Sequence, residues 1–463
     1  MGDRMLKRLG ALTVGTLIFV LSLAVYTCAA QVPSVRVQLL SKSTTAMVKV
    51  VQGEYRMVNS TTGLPLGTVK PGQICYLGKE GLTLKVSGLS PEVTAPQKGP
   101  ILLKATGKDL CVFSFNNVNY RGDLTVYNLE EGLLAVNILP VDEYLYGVVG
   151  KEMGTSAPQE ALKAQALISR SYVLQKRGTA LYADVGTDTR TQVYGGYNAE
   201  QVSGFNNIKQ AVDSTAGEVI CYQGKIIEAV FHSNSGGYTE ASENVWSEAL
   251  PYLRAVPSPE DAYAKRYSYQ DANGWPGSSY QWQVTLTRQM LEKCVADWNA
   301  SRPSDAIKIG DIKNISLSRA DGRSGKNTAS GRVTALTLVG ASGQKVIYRD
   351  NIRSFFRVEG QPLRSTLITN IALNPGTGTA KEADSTNKTG VAQGSPQIYI
   401  VDKNKPSATV SNLFASLTIS GKGYGHGLGL SQWGARGMAA EQKADYQEII
   451  KHYYTGVEIK KLY

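Results

Sequence analysis

Residues 141–177, VDEYLYGVVGKEMGTSAPQEALKAQALISRSYVLQKR, mark the point where the sequence turns from strands to helices. Asp142 stands as an N-cap ahead of an apolar run, with Val141 placed to pack forward on Tyr146 as a hydrophobic staple. The spacing predicts a helix from there to about Met153, stopped by Gly154. A second helix is predicted from Ser156, where Ser156-Ala157-Pro158-Gln159 has the form of a capping box with proline in the first turn. Its body, Glu160 to Arg177, is rich in alanine and apolar on most sides, which predicts a buried central helix ending at Gly178. Lys163 and Arg170 lie seven residues apart on one of its faces.

Upstream, residues 35–140 read as short strands. Val35–Leu39, Ala46–Val51, Leu82–Val86 and Leu124–Tyr127 alternate partly with period two and are separated by Gly, Pro, Asn and Ser. Downstream, strands and loops return from Tyr194 to Val256, with a hairpin expected to begin over 217–224, and residues 280–370 form another mixed region. The stretch 374–396 contains no aromatic residue and reads as a flexible insertion. Ile398 resumes strand character, and Asp445 to Tyr454 is an amphipathic helix closed by Gly456. The fold class expected is α+β: β-rich, with a central buried helix.

The first 30 residues read as a leader. Arg4, Lys7 and Arg8 precede an uncharged stretch from Leu9 to Val35 whose apolar centre runs through Leu17–Leu23. Residues 1–30 are therefore expected to be a signal peptide or an N-terminal membrane anchor, with the remainder extracytoplasmic, in the cell envelope, either secreted or anchored. The formal charge of +11 implies an anionic neighbour, which outside the cytoplasm means wall polymer or anionic lipid. No nucleic-acid recognition motif is present. Beyond the leader Cys75, Cys111, Cys221 and Cys294 form no framework; one or two bridges and buried free thiols are both open.

Three places can carry chemistry. Glu152 continues the apolar stripe Leu145, Val148, Val149 of the first helix. Desolvation and the negative end of the helix dipole would both raise its pKa, as a general acid requires. The alternative is a frayed helix end with Glu152 solvated and paired with Lys151 or Lys163. The second place is Phe231-His-Ser-Asn-Ser-Gly-Gly-Tyr238, which sets His232, Ser233, Asn234 and Ser235 between a strand end and a turn. A Ser/Asn turn satisfying its own backbone is the alternative there. The third is Gly421–Leu430, with glycine at 421, 423, 425, 427 and 429. In an extended chain it would leave one side bare and present Lys422, Tyr424, His426 and Leu428 on the other, either against a ligand or as a tightly packed structural strand or turn. A helix is expected to start at Ser431-Gln432. With three histidines and no HExxH or Gly-x-Ser-x-Gly, a zinc protease or an elbow serine hydrolase is not indicated.

Together, Tyr120-Arg121-Gly122, VDEYLYGVVGKEM (141–153), APQEALKAQALISRSYVL (157–174), TQVYGG (191–196), FHSNSGGYTEASENVW (231–246), LPYLRAV (250–256) and GYGHGLGLSQWGARGMA (423–439) resemble the stage II sporulation protein D (SpoIID/LytB) family, in the family's order. The resemblance implies a multi-lobed catalytic core over 118–463, interrupted by the insertion at 374–396, with 31–117 as a β-rich N-terminal region. It implies a lytic transglycosylase acting on the MurNAc–GlcNAc bond of peptide-stripped glycan strands to leave 1,6-anhydroMurNAc ends, in sporulation and engulfment. The family's catalytic glutamate falls on Glu152. Lys163, Arg170, Gln192, Tyr194, His232, Ser233, Asn234, Ser235, Tyr424, His426 and Gln432 are then expected to line the glycan groove.

Some relatives hold zinc with the loop histidine and two downstream cysteines. Here Tyr238 and Asn244 follow His232, so no metal site and no cofactor are expected. The partners implied are peptidoglycan strands, a cell-wall amidase and a membrane scaffold protein. A non-catalytic wall-binding protein that recruits or enhances an N-acetylmuramoyl-L-alanine amidase is a second reading. A hydrolase is a third, requiring a second carboxylate such as Asp188, Glu240 or Glu243 near Glu152.

Overall fold

Alternation of buried and exposed residues sets the first third of the chain. In a computed structural model, which describes residues 31–107, 109–267, 280–358, 360–375, 397–400 and 414–463, eleven strands precede the first helix. They are β1 (Ser34–Ser43), β2 (Thr45–Gln52), β3 (Glu54–Asn59), β4 (Pro65–Val69), β5 (Ile74–Glu80), β6 (Thr83–Ser87), β7 (Ile101–Thr106), β8 (Val112–Phe115), β9 (Val118–Arg121), β10 (Asp123–Leu129) and β11 (Gly132–Pro140). In β2, Ala46, Val48 and Val50 are buried while Met47, Lys49 and Val51 face out, the period-two pattern of a strand with one wet face. The strands form two antiparallel sheets, β1-β11-β10-β7-β3-β4 and β6-β5-β2-β8-β9. Residues 117 and 118 lie at the tight β8–β9 turn, where Asn116 and Asn117 adopt left-handed φ of 49° and 62°. The six-stranded sheet thus combines strands from both sides of that point.

The 141–153 segment is two short helices rather than one. α1 (Val141–Tyr146) starts after Pro140, and α2 (Val149–Met153) follows a break at Gly147. The break has a packing cause. The Gly147 carbonyl accepts from Gly195 N–H at 2.9 Å, and a Cβ on Gly147 would lie 2.5 Å from the Tyr194 ring. Asp142 does not act as the N-cap expected of it; its carboxylate instead binds Arg170 and the Tyr463 hydroxyl. α3 (Gln159–Lys176) begins after Pro158, past Ser156, and is the central helix the sequence predicts, with Leu162, Ala166, Leu167, Ile168 and Val173 fully buried. α4 (Phe205–Ser214) packs on α3.

These sheets and helices, the segment Ile227–Leu253 and the C-terminal helix Tyr446–Tyr453 share one apolar core. Asp445 caps that last helix through a capping box with Glu448. A second core, around Trp282, Leu286, Trp298, Leu336, Phe355, Ile368 and Leu417, belongs to a separate lobe. That lobe holds a four-stranded antiparallel sheet (Gln281–Thr287, Phe414–Lys422, Ile368–Pro375, Gln397–Ile400), a three-stranded one (Ile312–Ser318, Ala335–Gly340, Gly343–Tyr348) and the helix Arg288–Ser301. The fold is α+β. The leader and residues 376–396 of the expected insertion lie outside the described residues; residues 374 and 375 end a strand. Among the described residues no helix is long and apolar enough to cross a membrane.

Candidate active site

Strand Phe414–Lys422 carries the chain out of the second lobe and into the glycine-rich segment, so that segment lies where the two lobes meet. Gly421 and Lys422 end that strand, and beyond them the segment is a tightly packed turn rather than an extended chain. Gly423, Gly425, Gly427 and Gly429 all take positive φ, from 65° to 114°, and the loop winds closely over its neighbours. A Cβ on Gly425 would stand 2.7 Å from His232 Cβ, and one on Gly429 would stand 2.0 Å from the Val230 carbonyl oxygen. Only glycine tolerates both demands. This lets Leu430–Ser431 pair in parallel with Phe231–His232, bringing the two motifs side by side. Ser431 then caps the helix Gln432–Gly437, accepting from Gly434 N–H.

A cavity of about 960 Å³ opens beside this junction. Glu152 from α2, Tyr172 and Lys176 from α3 and the loop 189–191 form one wall. The paired strands and Trp246 form its floor, and Val284, Arg353, Val358 and residues 361–364 of the second lobe face them. Six expected residues line it: Glu152, His232, Ser233, Tyr424, His426 and Gln432.

Glu152 is half-buried. One carboxyl oxygen accepts from Val193 N–H at 2.7 Å, and the neighbouring Gln432 side chain also favours the charged form. Desolvation outweighs both effects and pushes the pKa up to about 7. The solvated alternative, paired with Lys163, does not occur, because Lys163 bonds Glu160 at 2.7 Å. α2 is barely one turn long, so burial rather than a helix dipole sets this carboxyl. His232 donates through Nδ1–H to the Leu428 carbonyl (3.0 Å), and His426 donates through Nε2–H to the Phe231 carbonyl (2.9 Å) while its Nδ1 accepts from Leu428 N–H (3.0 Å). Burial pushes the His426 pKa down to about 4 and that of His232 well below the ordinary value, so both rings are neutral at pH 7. The Trp246 ring lies 5.7 Å from that of His426.

The other expected residues do not line this cavity. Arg170 is fully buried, bonded to Asp142 (2.9 Å) and to the carbonyls of Glu218 and Val212, and it ties α3 to α1 and α4. Lys163 sits outside with Glu160, near the Tyr446 ring. Tyr194 is buried between Tyr120 and Tyr144 and donates to Asn137 at 3.0 Å, while Gln192 accepts from Tyr144. Asn234 and Ser235 are fully buried and bond Asp261, whose carboxylate also receives Ser431. These side chains fasten the elements that carry the cavity wall. Helical spacing marked Lys163 and Arg170 as sharing a face, but did not reveal that α1, α4 and the C-terminal segment cover it.

Sequence reasoning did not single out Trp246, Glu228 or the second-lobe residues Arg353 and Arg364. The latter two carried no signal, because their approach depends on how the lobes pack. Asp188, Glu240 and Glu243 do not line the cavity: each is held by local partners, Arg190, Asn244 with Ser330, and Arg254. Glu228 does line it, in an ion pair with Lys176. For the zinc arrangement of some relatives the residues do not fit. The Asn244 side chain is bonded to Glu240 and Asp321, and no three His, Cys, Asp or Glu side chains converge among the described residues.

A family model described as Stage II sporulation protein (SpoIID) matches residues 129–222, and one described as Domain of unknown function (DUF8618) matches residues 240–382. The chain is 31% identical to the amidase enhancer of Bacillus subtilis over 68% of its own length, and spans 40% of that relative. It is 28% identical to an uncharacterized protein of Brachyspira hyodysenteriae over 92% of both chains. To stage II sporulation protein D of Bacillus amyloliquefaciens it is 28% identical, over 71% of this chain and 76% of the relative. The SpoIID match contains α1, α2 and α3 and so brings Glu152 with it, and on these grounds the chain belongs to the SpoIID family.

Proposed function

We propose that this protein is a peptidoglycan lytic transglycosylase that works outside the cytoplasm on glycan strands, with Glu152 as its acid and base. The observation that carries the reading is the placement of Glu152. It is a half-buried carboxyl in the wall of the cavity of about 960 Å³, with one oxygen occupied by Val193 N–H and a pKa pushed up to about 7. Protonated at neutral pH, it gives its proton to the glycosidic oxygen as the C1–O bond breaks. The carboxylate left behind takes a proton from the sugar's 6-hydroxyl as that oxygen closes on C1. Glu152 is thereby reprotonated, and the products are a 1,6-anhydro end and a free 4-hydroxyl. A single carboxylate suffices, since no water is activated. Tyr424, Trp246 and the neutral His232–His426 pair supply the aromatic and polar surface that a sugar ring packs against.

Sporulation enters from the names of the relatives. A role in enhancing an amidase is the second reading, favoured by the amidase enhancer's similarity. In it the cavity binds stripped strands without cutting them. Mass spectrometry of amidase-stripped glycan incubated with the protein tests both. Anhydro-ended disaccharides that disappear with Glu152→Ala support the lyase. Reducing ends would move the assignment to a hydrolase using Glu228. Strand binding without products would leave the amidase partner.

A further inference from the structure

We propose that Arg332, a second-lobe residue outside the cavity lining, is the positioning residue that seats the His232 loop and the glycine-rich loop against each other and so sets the cavity floor. Arg332 stands just ahead of the strand Ala335–Gly340 and is 1% exposed. Its backbone is fixed within its own lobe. Its N–H donates to Ser330 Oγ at 3.0 Å, its carbonyl accepts from Thr328 Oγ1 at 3.3 Å, and the next residue, Val333, donates to the Thr366 carbonyl at 2.9 Å. The side chain reaches across to the other lobe. Nη2 donates to the Ser235 carbonyl at 2.8 Å, within the His232 loop. On the glycine-rich loop, a Cβ on Gly427 would stand 2.5 Å from the guanidinium carbon and 2.6 Å from Nε. One guanidinium thus touches both loops, and it fills the room that a larger residue at 427 would need.

The two loops also hold each other directly. Asn234 and Tyr424 exchange backbone hydrogen bonds of 3.0 and 2.7 Å, and Glu240 N–H donates to the Gly427 carbonyl at 2.8 Å. Arg332 acts between those points, at Ser235 and Gly427. Between them the loops present His232, Ser233, Tyr424 and His426 to the cavity, so a shift of either loop moves these side chains.

As a fastener of the fold alone, an arginine here is a poor choice. Its Nε and Nη1 have no hydrogen-bond partner, and no carboxylate bonds it among the described residues. Burial pushes its pKa down to about 10, so it is charged at neutral pH. A buried cation left partly unsatisfied is commonly replaced by an apolar side chain of similar length without loss of stability. What the arginine adds is a donor that spans the lobe boundary to Ser235 while its flat head lies against a bare glycine. This inference rests on the cavity as the glycan site.

The test measures binding of amidase-stripped glycan strands by isothermal titration calorimetry in the full chain carrying Glu152→Gln, where no strand is cut, together with the melting temperature. Arg332→Met keeps the length of the side chain and removes the donor. Its Kd should rise about tenfold with little change in melting temperature. Leu336→Ala, a core change in the same lobe, should lower the melting temperature and leave Kd within about twofold where the protein is still folded. Gly427→Ala should raise Kd at least about tenfold in the parent but add less than about threefold in Arg332→Ala, where its room is vacated. An unchanged Kd in Arg332→Met overturns the proposal, as does a Gly427→Ala effect that is equal in both backgrounds. If Arg332→Ala does not fold, Arg332→Met decides alone. If the parent binds no stripped strand, the glycan reading falls, and the cycle is read in melting temperature. The loss caused by Gly427→Ala should then at least halve in Arg332→Ala, and an equal loss overturns the role of Arg332.

Discussion

Replacing Glu152 by glutamine is expected to stabilise the fold above neutral pH and to leave it nearly unchanged in acid. Burial raises the folded-state pKa of this carboxyl from 4.5 to about 7. The unfolded chain releases the proton near 4.5, while the folded chain keeps it until about 7. Between those values the folded state binds more protons, so stability falls as pH rises. Below 4.5 both states are protonated and there is no penalty; above 7 it is complete. At 1.36 kcal/mol for each pH unit between the two midpoints, the full penalty is about 3 kcal/mol. Glutamine keeps an oxygen for Val193 N–H and carries no charge, so it removes the penalty. Urea unfolding of both proteins at pH 5, 6, 7 and 8 measures this, and differencing them cancels all other titrating groups. The variant should gain little at pH 5 and about 2–3 kcal/mol at pH 8. A stability difference that does not change with pH would refute the claim that Glu152 is held desolvated.

The same carboxyl predicts an alkaline limb in the pH–rate profile near 7, with activity falling about tenfold per pH unit beyond it. The histidines cannot produce that limb, as both titrate lower. Arg170→Leu should cost about 3–5 kcal/mol of stability, because it takes the buried guanidinium away from the Asp142 carboxylate and two carbonyls. At a temperature where the variant is still folded its kcat should match the wild type, as read by denaturation and turnover together. Gly429→Ala combines a φ of 65° with a 2.0 Å clash on the Val230 carbonyl, and should lower activity at least about tenfold by opening the strand pair under the cavity. Gly72→Ala, with φ of 86° and open space around it, controls for backbone strain and should keep full activity. Trp246→Ala should raise KM for glycan roughly tenfold with a smaller change in kcat, measured on stripped strands of defined length.

Local chemistry made much of the scaffold legible. Alternation in β2, the alanine-rich body of α3, the Asp445 capping box and the start of a helix after Ser431 depend on neighbours within a few residues. Glu152 stood out as a carboxylate on an apolar stripe, although that stripe was drawn on one helix and the chain breaks it at Gly147. Failures came where a distant group displaced a local one. Asp142 would cap α1 in isolation, but Arg170 takes its carboxylate. The helix from 141 would run on, but Tyr194 and Gly195 claim Gly147. Alternate glycines would suit an extended strand, but His232 and Val230 crowd the loop into positive φ.

What the sequence by itself determined is therefore the order of strand-rich and helical regions, the candidacy of Glu152 and the motif set that joins the chain to its family. Each is fixed by spacing along the chain, where helix and strand periods apply. The tertiary structure alone decided which polar residues face the cavity and which are fasteners: His232 and Gln432 on its wall, Arg170, Tyr194, Asn234 and Ser235 behind it. It also decided that a second lobe supplies Arg353 and Arg364 to the opposite side. Helical or strand spacing says which side chains share a face. What covers that face is settled by packing between residues hundreds of positions apart, whose pairing no local period encodes.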